Sequence, residues 1–242
     1  MHFSRRIEQR RQAVLGTVAL AGILLGASPG PAQLDSQVVV NRYLAALDRV
    51  TQPPFAVFSY RVSQAGAHNI EQTHRIFRGA VRERDETISM EGDSVKIVRV
   101  VSVHDRYVVT RLAPRAPAYT FLFLQTRRHG KHLDYVYATE PLAESAFTII
   151  GVTIDGETYL PSLITFKDVV GKVHATGSVA YAKVGPFWVP TIAEATADLG
   201  GHPTRERLTW SGYSFPASLP PSTFIQPKGL SVPAIPPPQR SP

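Results

Sequence analysis

The feature that most constrains this chain is a two-residue side-chain period that returns, run after run, beyond residue 56. Phe58, Tyr60 and Val62 alternate with Val57, Ser59 and Arg61, as side chains do on the two faces of an extended strand. The pattern continues through IEQTHRIFRG, AVRERDETISM, VKIVRVVSVHD, RYVVTRL, YTFLFLQT, LDYVYAT, FTIIGVTID, TYLPSLITFKDV, GSVAYAKV, FWVPTIAEATADL and ERLTWSGYSF. Turn signals such as Glu91-Gly92-Asp93-Ser94, Asp155-Gly156 and Gly185-Pro186 separate the runs. Connections this short join antiparallel strands, because a parallel crossover needs a much longer link. The reading is a meander of about eleven antiparallel strands, a mainly β (α+β) fold. Pro141 to Ser145 is read as a short helix or a loop.

One segment breaks the period. Residues 35–50, DSQVVVNRYLAALDRV, place Val39, Val40, Tyr43, Leu44, Leu47 and Val50 on one helical face, with Asp35 or Ser36 as the cap. Thr51-Gln52-Pro53-Pro54 ends the helix. A sheet of so many strands twists and curls, so its hollow side must be filled. With one good helix available, a strongly curved antiparallel sheet wrapped around that N-terminal helix is expected.

The stretch TIAEATADLGG (Thr191 to Gly201) tests this. Alanine favours helix, yet Ala193, Ala195 and Ala197 fall on one face of an extended chain and Glu194, Thr196 and Asp198 on the other. Setting Leu199 opposite Thr204 puts Asp198 against Arg205, Thr196 against Arg207, Ala195 against Leu208 and Ala193 against Trp210. Opposite charges then meet outside and large residues lie over alanines inside. A strand is predicted, its small residues leaving room for the helix or a guest.

Both ends read as separate from the folded unit. Residues 1–32 combine MHFSRRIEQRR with the uncharged run AVLGTVALAGILLGA and then Ser-Pro-Gly-Pro-Ala. That run is shorter than the ~20 apolar residues of a membrane span and fits a signal peptide cleaved after Ala32, with the export route left open. The first expected domain is therefore 1–32, followed by a folded domain at 33–226. Residues 227–242, PKGLSVPAIPPPQRSP, form a proline-rich tail that denies donors to helix or sheet. The leader's four arginines and Glu8 account for three of the net charge of +7. The remaining surplus is dispersed among acids, as in Arg82-Glu83-Arg84-Asp85-Glu86, a run read as a solvated strand face; no nucleic-acid partner is expected.

No compact catalytic motif is present: no GxSxG, no HExxH, no glycine-rich phosphate loop and no cysteine. His129-Gly130-Lys131-His132 sits among arginines and reads as a solvated turn, and Asp155 and Glu157 as parts of a hairpin turn. The expectation is no enzyme, no cofactor and no metal.

One helix ending in a proline break, then a meander closing with TYLPSLITF, GSVAYAKVGPFWVPTIAEA, ERLTWSGYSF and LPPSTF, resembles the LolA/LolB-like superfamily of periplasmic lipoprotein carriers and sensors. The resemblance covers about Leu34 to Pro227. It implies an unclosed β-barrel, lidded by helices, whose apolar concave side holds acyl chains of lipoproteins or related amphiphiles. The chain departs from that family in lacking a second strong helix and a cysteine to acylate. Apolar candidates for lining the concave face are Phe58, Tyr60, Val62, Phe121, Phe123, Tyr135, Tyr137, Val179, Tyr181, Ala193, Ala195, Leu208 and Trp210. The expected role is a monomeric, non-catalytic periplasmic carrier partnered by a lipid or lipoprotein acyl chain. The alternative is an envelope sensor or interaction scaffold with a filled barrel and a protein partner.

Overall fold

A computed structural model describes residues 35–66, 69–171, 173–199 and 202–227. The expected leader (1–32) and all but the first residue of the expected tail (227–242) lie outside the described residues. Helix α1 spans Ser36–Leu47. The Asp35 carboxylate accepts from the backbone N–H groups of Gln37 and Val38, at 2.8 and 3.4 Å, and so satisfies donors that a helix start leaves open. Its buried face is Val39, Val40, Tyr43, Ala46 and Leu47.

The strands are β1 Ala56–Ala65, β2 Ile70–Arg78, β3 Arg82–Met90, β4 Asp93–Ser102, β5 Tyr119–His129, β6 His132–Pro141, β7 Phe147–Ile154, β8 Pro161–Val170, β9 Val173–Val184, β10 Phe187–Leu199 and β11 His202–Ser214. All eleven form one antiparallel sheet in the order β4-β3-β2-β1-β11-β10-β9-β8-β7-β6-β5. The sheet is not closed: β4 and β5 are its two edges. Residues 142–146, between β6 and β7, form a loop.

This order has one large consequence. β4 and β5 are consecutive in the chain yet lie at opposite edges, so residues 103–118 must pass from one edge to the other. Eleven flat strands would measure about 48 Å across, and this connection, with a helical turn in it, would span that only if nearly everything else in it were fully extended. The connection also makes contacts on the way, so the sheet has to curl. RYVVTRL lies in this strap. The sequence reading made it a strand, but Val109–Leu112 is one turn of helix, α2, with Val109 and Leu112 buried. Val109 and Leu112, three residues apart, share the buried face of this turn, while Arg111 is exposed; the segment has no strand partner.

Three side chains fasten the strap through its carbonyl groups. Arg78 donates to His104 O at 3.0 Å, Tyr181 to Tyr107 O at 3.1 Å and Tyr43 to Pro114 O at 2.9 Å. Where such a connection is buried, as at Pro114, its backbone needs such partners.

α2 lies against β10, whose Ala193 is 3% exposed. The small residues of β10 therefore make room for the strap as well as for α1. The β10–β11 register differs from expectation by two residues: Ala193 faces Leu208, Ala195 faces Glu206 and Leu199 faces His202. Pairing runs on until two residues remain for the connection, the favoured hairpin length. A slip of two preserves the faces, so the alanines stay inside and Glu194 meets Arg207 outside at 3.2 Å.

The β7–β8 link is longer than the Asp155-Gly156 turn expected, with pairing resuming only at Pro161. Asp155 Oδ1 accepts from the Thr158 N–H and hydroxyl, both at 2.7 Å, and from the Glu157 N–H at 3.2 Å, winding the chain into a wider loop. A Cβ on Gly156 would come within 1.7 Å of Leu133 O, so this loop sits on β6 only because residue 156 has no side chain.

Candidate functional site

The concave face divides into two unlike halves. On the β5–β10 side, α1 and the strap cover an apolar core in which Tyr135, Tyr137, Val179, Tyr181 and Ala193 are buried, with Phe121, Phe123 and Ala195 packed against them. These eight of the thirteen candidate lining residues form a filled core. Burial pushes the phenol of Tyr137 up to about 12, with Tyr135 and Asp35 adding to the shift.

On the β1–β4 side α1 does not reach, and two adjoining cavities of about 360 and 330 Å³ lie between the sheet and the strap. They share Phe58, Arg78, His104, Tyr107 and Trp210. Tyr60 and Leu208 line the smaller one; Tyr213, Phe215, Pro54 and Trp188 extend the apolar wall of the larger. Four candidates thus face the open space: Phe58, Tyr60, Leu208 and Trp210. Val62, half-buried further along β1 opposite Leu208 and Gln72, lines neither. Tyr107 on the strap meets the Trp210 ring edge-on at 5.2 Å.

The sequence reading of this region was wholly apolar and missed its charges. Glu83 and Asp85 do not belong to a solvated face: the pattern of β3 turns them inward, while Arg84 and Glu86 pair with each other at 2.7 Å on the other face. Glu83 accepts from Arg78 Nε at 2.7 Å, across the register pair of β2 and β3. His74 Nδ1 lies 2.7 Å from Asp85 Oδ1 and Nε2 lies 3.2 Å from Gln72 Oε1. The ring of Tyr60 stacks on His74 at 4.5 Å with a 4° interplanar angle. Burial first, then the charges of Asp85 and Glu83, raises the Tyr60 phenol far above its ordinary range, with Arg99 opposing. The signal for this cluster was legible: His74, Ile76 and Arg78 at period two on one strand, with Glu83, Asp85 and Thr87 at the same period on the next.

A second polar cluster lies at the β5–β6 end. His132 Nε2 is 3.2 Å from Asp155 Oδ2 and 3.7 Å from Asp134 Oδ1, and its Nδ1 is 3.8 Å from Glu157. The ligand atoms of His132, Asp134 and Asp155 lie within 4.8 Å of one another, a spacing that can hold a metal ion. The sequence reading puts His132 and Asp155 in two unrelated turns and Asp134 in the strand LDYVYAT. Asp155 already organises its own loop. Burial works to raise its pKa, but the Thr158 hydroxyl and N–H, the His132 charge and the Glu157 N–H outweigh burial and leave it below 3.8.

Fold and site together define an open antiparallel β half-barrel that holds one helix, with a strap over a half-empty hollow. No protein-family model matches the chain, and no curated protein does. Among solved structures, it is similar to a LolA superfamily protein from Nitrosomonas europaea at 12% identity and a TM-score of 0.41, covering 80% of this chain and 99% of that one. A putative outer membrane lipoprotein-sorting protein domain from Vibrio parahaemolyticus gives 14% and 0.44, covering 78% and 97%. A DUF1329 family protein from Desulfovibrio piger gives 10% and 0.43, covering 78% and 96%. Among the described residues no helix is long and apolar enough to cross a membrane.

Proposed function

We propose that this chain is an exported, non-catalytic carrier that shelters the apolar part of an amphiphile, such as an acyl chain of a lipoprotein, beneath the strap on the β1–β4 side of the sheet. The observation that supports this reading is the pair of adjoining cavities of about 360 and 330 Å³ walled by Phe58, Trp210, Tyr213 and Phe215. Ligand sites begin near ~300 Å³. Each buried methylene contributes about 0.8 kcal/mol, so eight would supply about 6 kcal/mol before ordering losses. Before those losses, this corresponds to an affinity between millimolar and micromolar without any specific anchor.

Export follows from reading residues 1–32 as a cleaved leader, and the mature N-terminus should then be Gln33. Native mass spectrometry of protein purified from its own envelope should show a co-purifying lipid that exchanges with added fluorescent fatty acid. A ligand-free protein that also ignores added fatty acid would rule out carriage and favour a scaffold that works through protein contacts alone.

A further inference from the structure

The smaller cavity has bases and acids in unequal supply. Its two acids are engaged: Glu83 with Arg78 and Asp85 with His74, each at 2.7 Å. Two further arginines line the same cavity, Arg99 from β4 and Arg106 from the strap. Neither makes an ion pair among the described residues. Arg99 is half-buried on the register position opposite Asp85, whose carboxylate His74 has taken. Arg106 is exposed, its guanidinium 5.7 Å from the centre of the Tyr107 ring.

A guanidinium partly withdrawn from water that no carboxylate contacts directly can take a further anion, and its planar fork matches carboxylate and phosphate oxygens. The half-buried Arg99 and the exposed Arg106 reach this cavity from different elements, next to an apolar space walled by Trp210 and Tyr213. We infer that the guest is an anionic amphiphile, with a carboxylate or phosphate head taken by Arg99 and Arg106 and its chain running beneath the strap. The inference rests on the carriage reading and adds the charge of the head.

The test uses the protein's own fluorescence, since Trp188 and Trp210 both line the larger cavity. The full mature chain is titrated with palmitoyl lysophosphatidylglycerol, palmitoyl lysophosphatidylcholine and inorganic phosphate. The first two share a chain and differ in net charge, and the third has no chain. The anionic lipid should bind about tenfold more tightly than the zwitterionic one, the order expected for one charge-assisted contact. Arg99→Gln should narrow that gap by weakening the anionic lipid more than the zwitterionic one, whose phosphate Arg99 also meets, Arg99→Lys should keep part of it, and added salt should narrow it. Arg106→Gln, at an exposed position, should narrow the gap too and carries the test if an Arg99 variant fails to fold. Equal affinities would overturn the anionic head and leave carriage standing. Failure of both lipids to bind would overturn both readings. Phosphate binding as tightly as the anionic lipid would overturn an amphiphile as the source of the anion.

Discussion

The Tyr43 hydroxyl donates to the carbonyl oxygen of Pro114 across 2.9 Å, and both residues are fully buried. One hydrogen bond therefore ties α1 to the strap in dry surroundings. Burial drives the Tyr43 phenol far above its ordinary range, against the pull of Arg115, which keeps the proton on the oxygen that must donate it. Tyr43→Phe strands the Pro114 carbonyl and should cost about 1–3 kcal/mol, read as a lower urea midpoint with an unchanged slope. An unchanged midpoint would mean that the strap is held elsewhere.

The same chemistry predicts how the protein fails in alkali. Tyr43, Tyr60, Tyr181 and Tyr213 are all raised, mainly by burial, and Tyr137 reaches about 12. The fold holds the neutral phenols more tightly than the unfolded chain does. Their contribution is complete below pH 10, the unfolded value, and is lost as pH rises through the folded ones. Phenolate absorbance from these residues should therefore appear together with loss of near-UV circular dichroism, above pH 10. Smooth titration near pH 10 with the tertiary signal intact would contradict the burial assigned to them.

Asp155 gives the opposite sign. Its folded pKa lies below 3.8, so its carboxylate stabilises the fold above that value and ceases to as pH falls through the folded one. Asp155→Asn should be clearly less stable than the parent at neutral pH and draw level with it in acid. A gap that is constant with pH would assign the loss to shape alone.

Gln226 protects one edge of the sheet. Its side-chain amide accepts from Val100 N–H at 2.8 Å and donates to Val98 O at 2.9 Å, occupying positions where a further strand would bind β4. Exposed edges invite pairing with other chains. Gln226→Ala should therefore raise light scattering on storage more than it lowers the melting temperature, and Gln226→Glu, which keeps only the acceptor, should fall between. Scattering that matches the parent would remove the protective role.

Much of the fold was legible because period two and turn chemistry are local. The strand count, the antiparallel meander, the Asp35 cap and the inward face of Ala193 all follow from neighbours in sequence. The strap was not legible. Residues 106–112 alternate like a strand, and only the distant placement of β4 and β5 forces them across the hollow. The β10–β11 register failed by two for a related reason: face alternation is blind to an even slip, and turn length decides it. The site was read for grease alone, so Arg78, His74, Glu83, Asp85 and Arg99 were passed over. Charged residues on a strand look solvated until the next strand shows that their partners lie inside with them.

The central claim is that a guest lies between the strap and the β1–β4 side of the sheet. Photolabelling with a diazirine-bearing fatty acid, followed by peptide mass spectrometry, tests it most directly. Labels should fall on Phe58, Tyr60, Tyr107, Trp210 and Tyr213 and be competed away by unlabelled fatty acid. Labels confined to outward-facing residues such as Leu122 and Leu124, which are 67% and 55% exposed, or labels that competitor leaves unchanged, would contradict it.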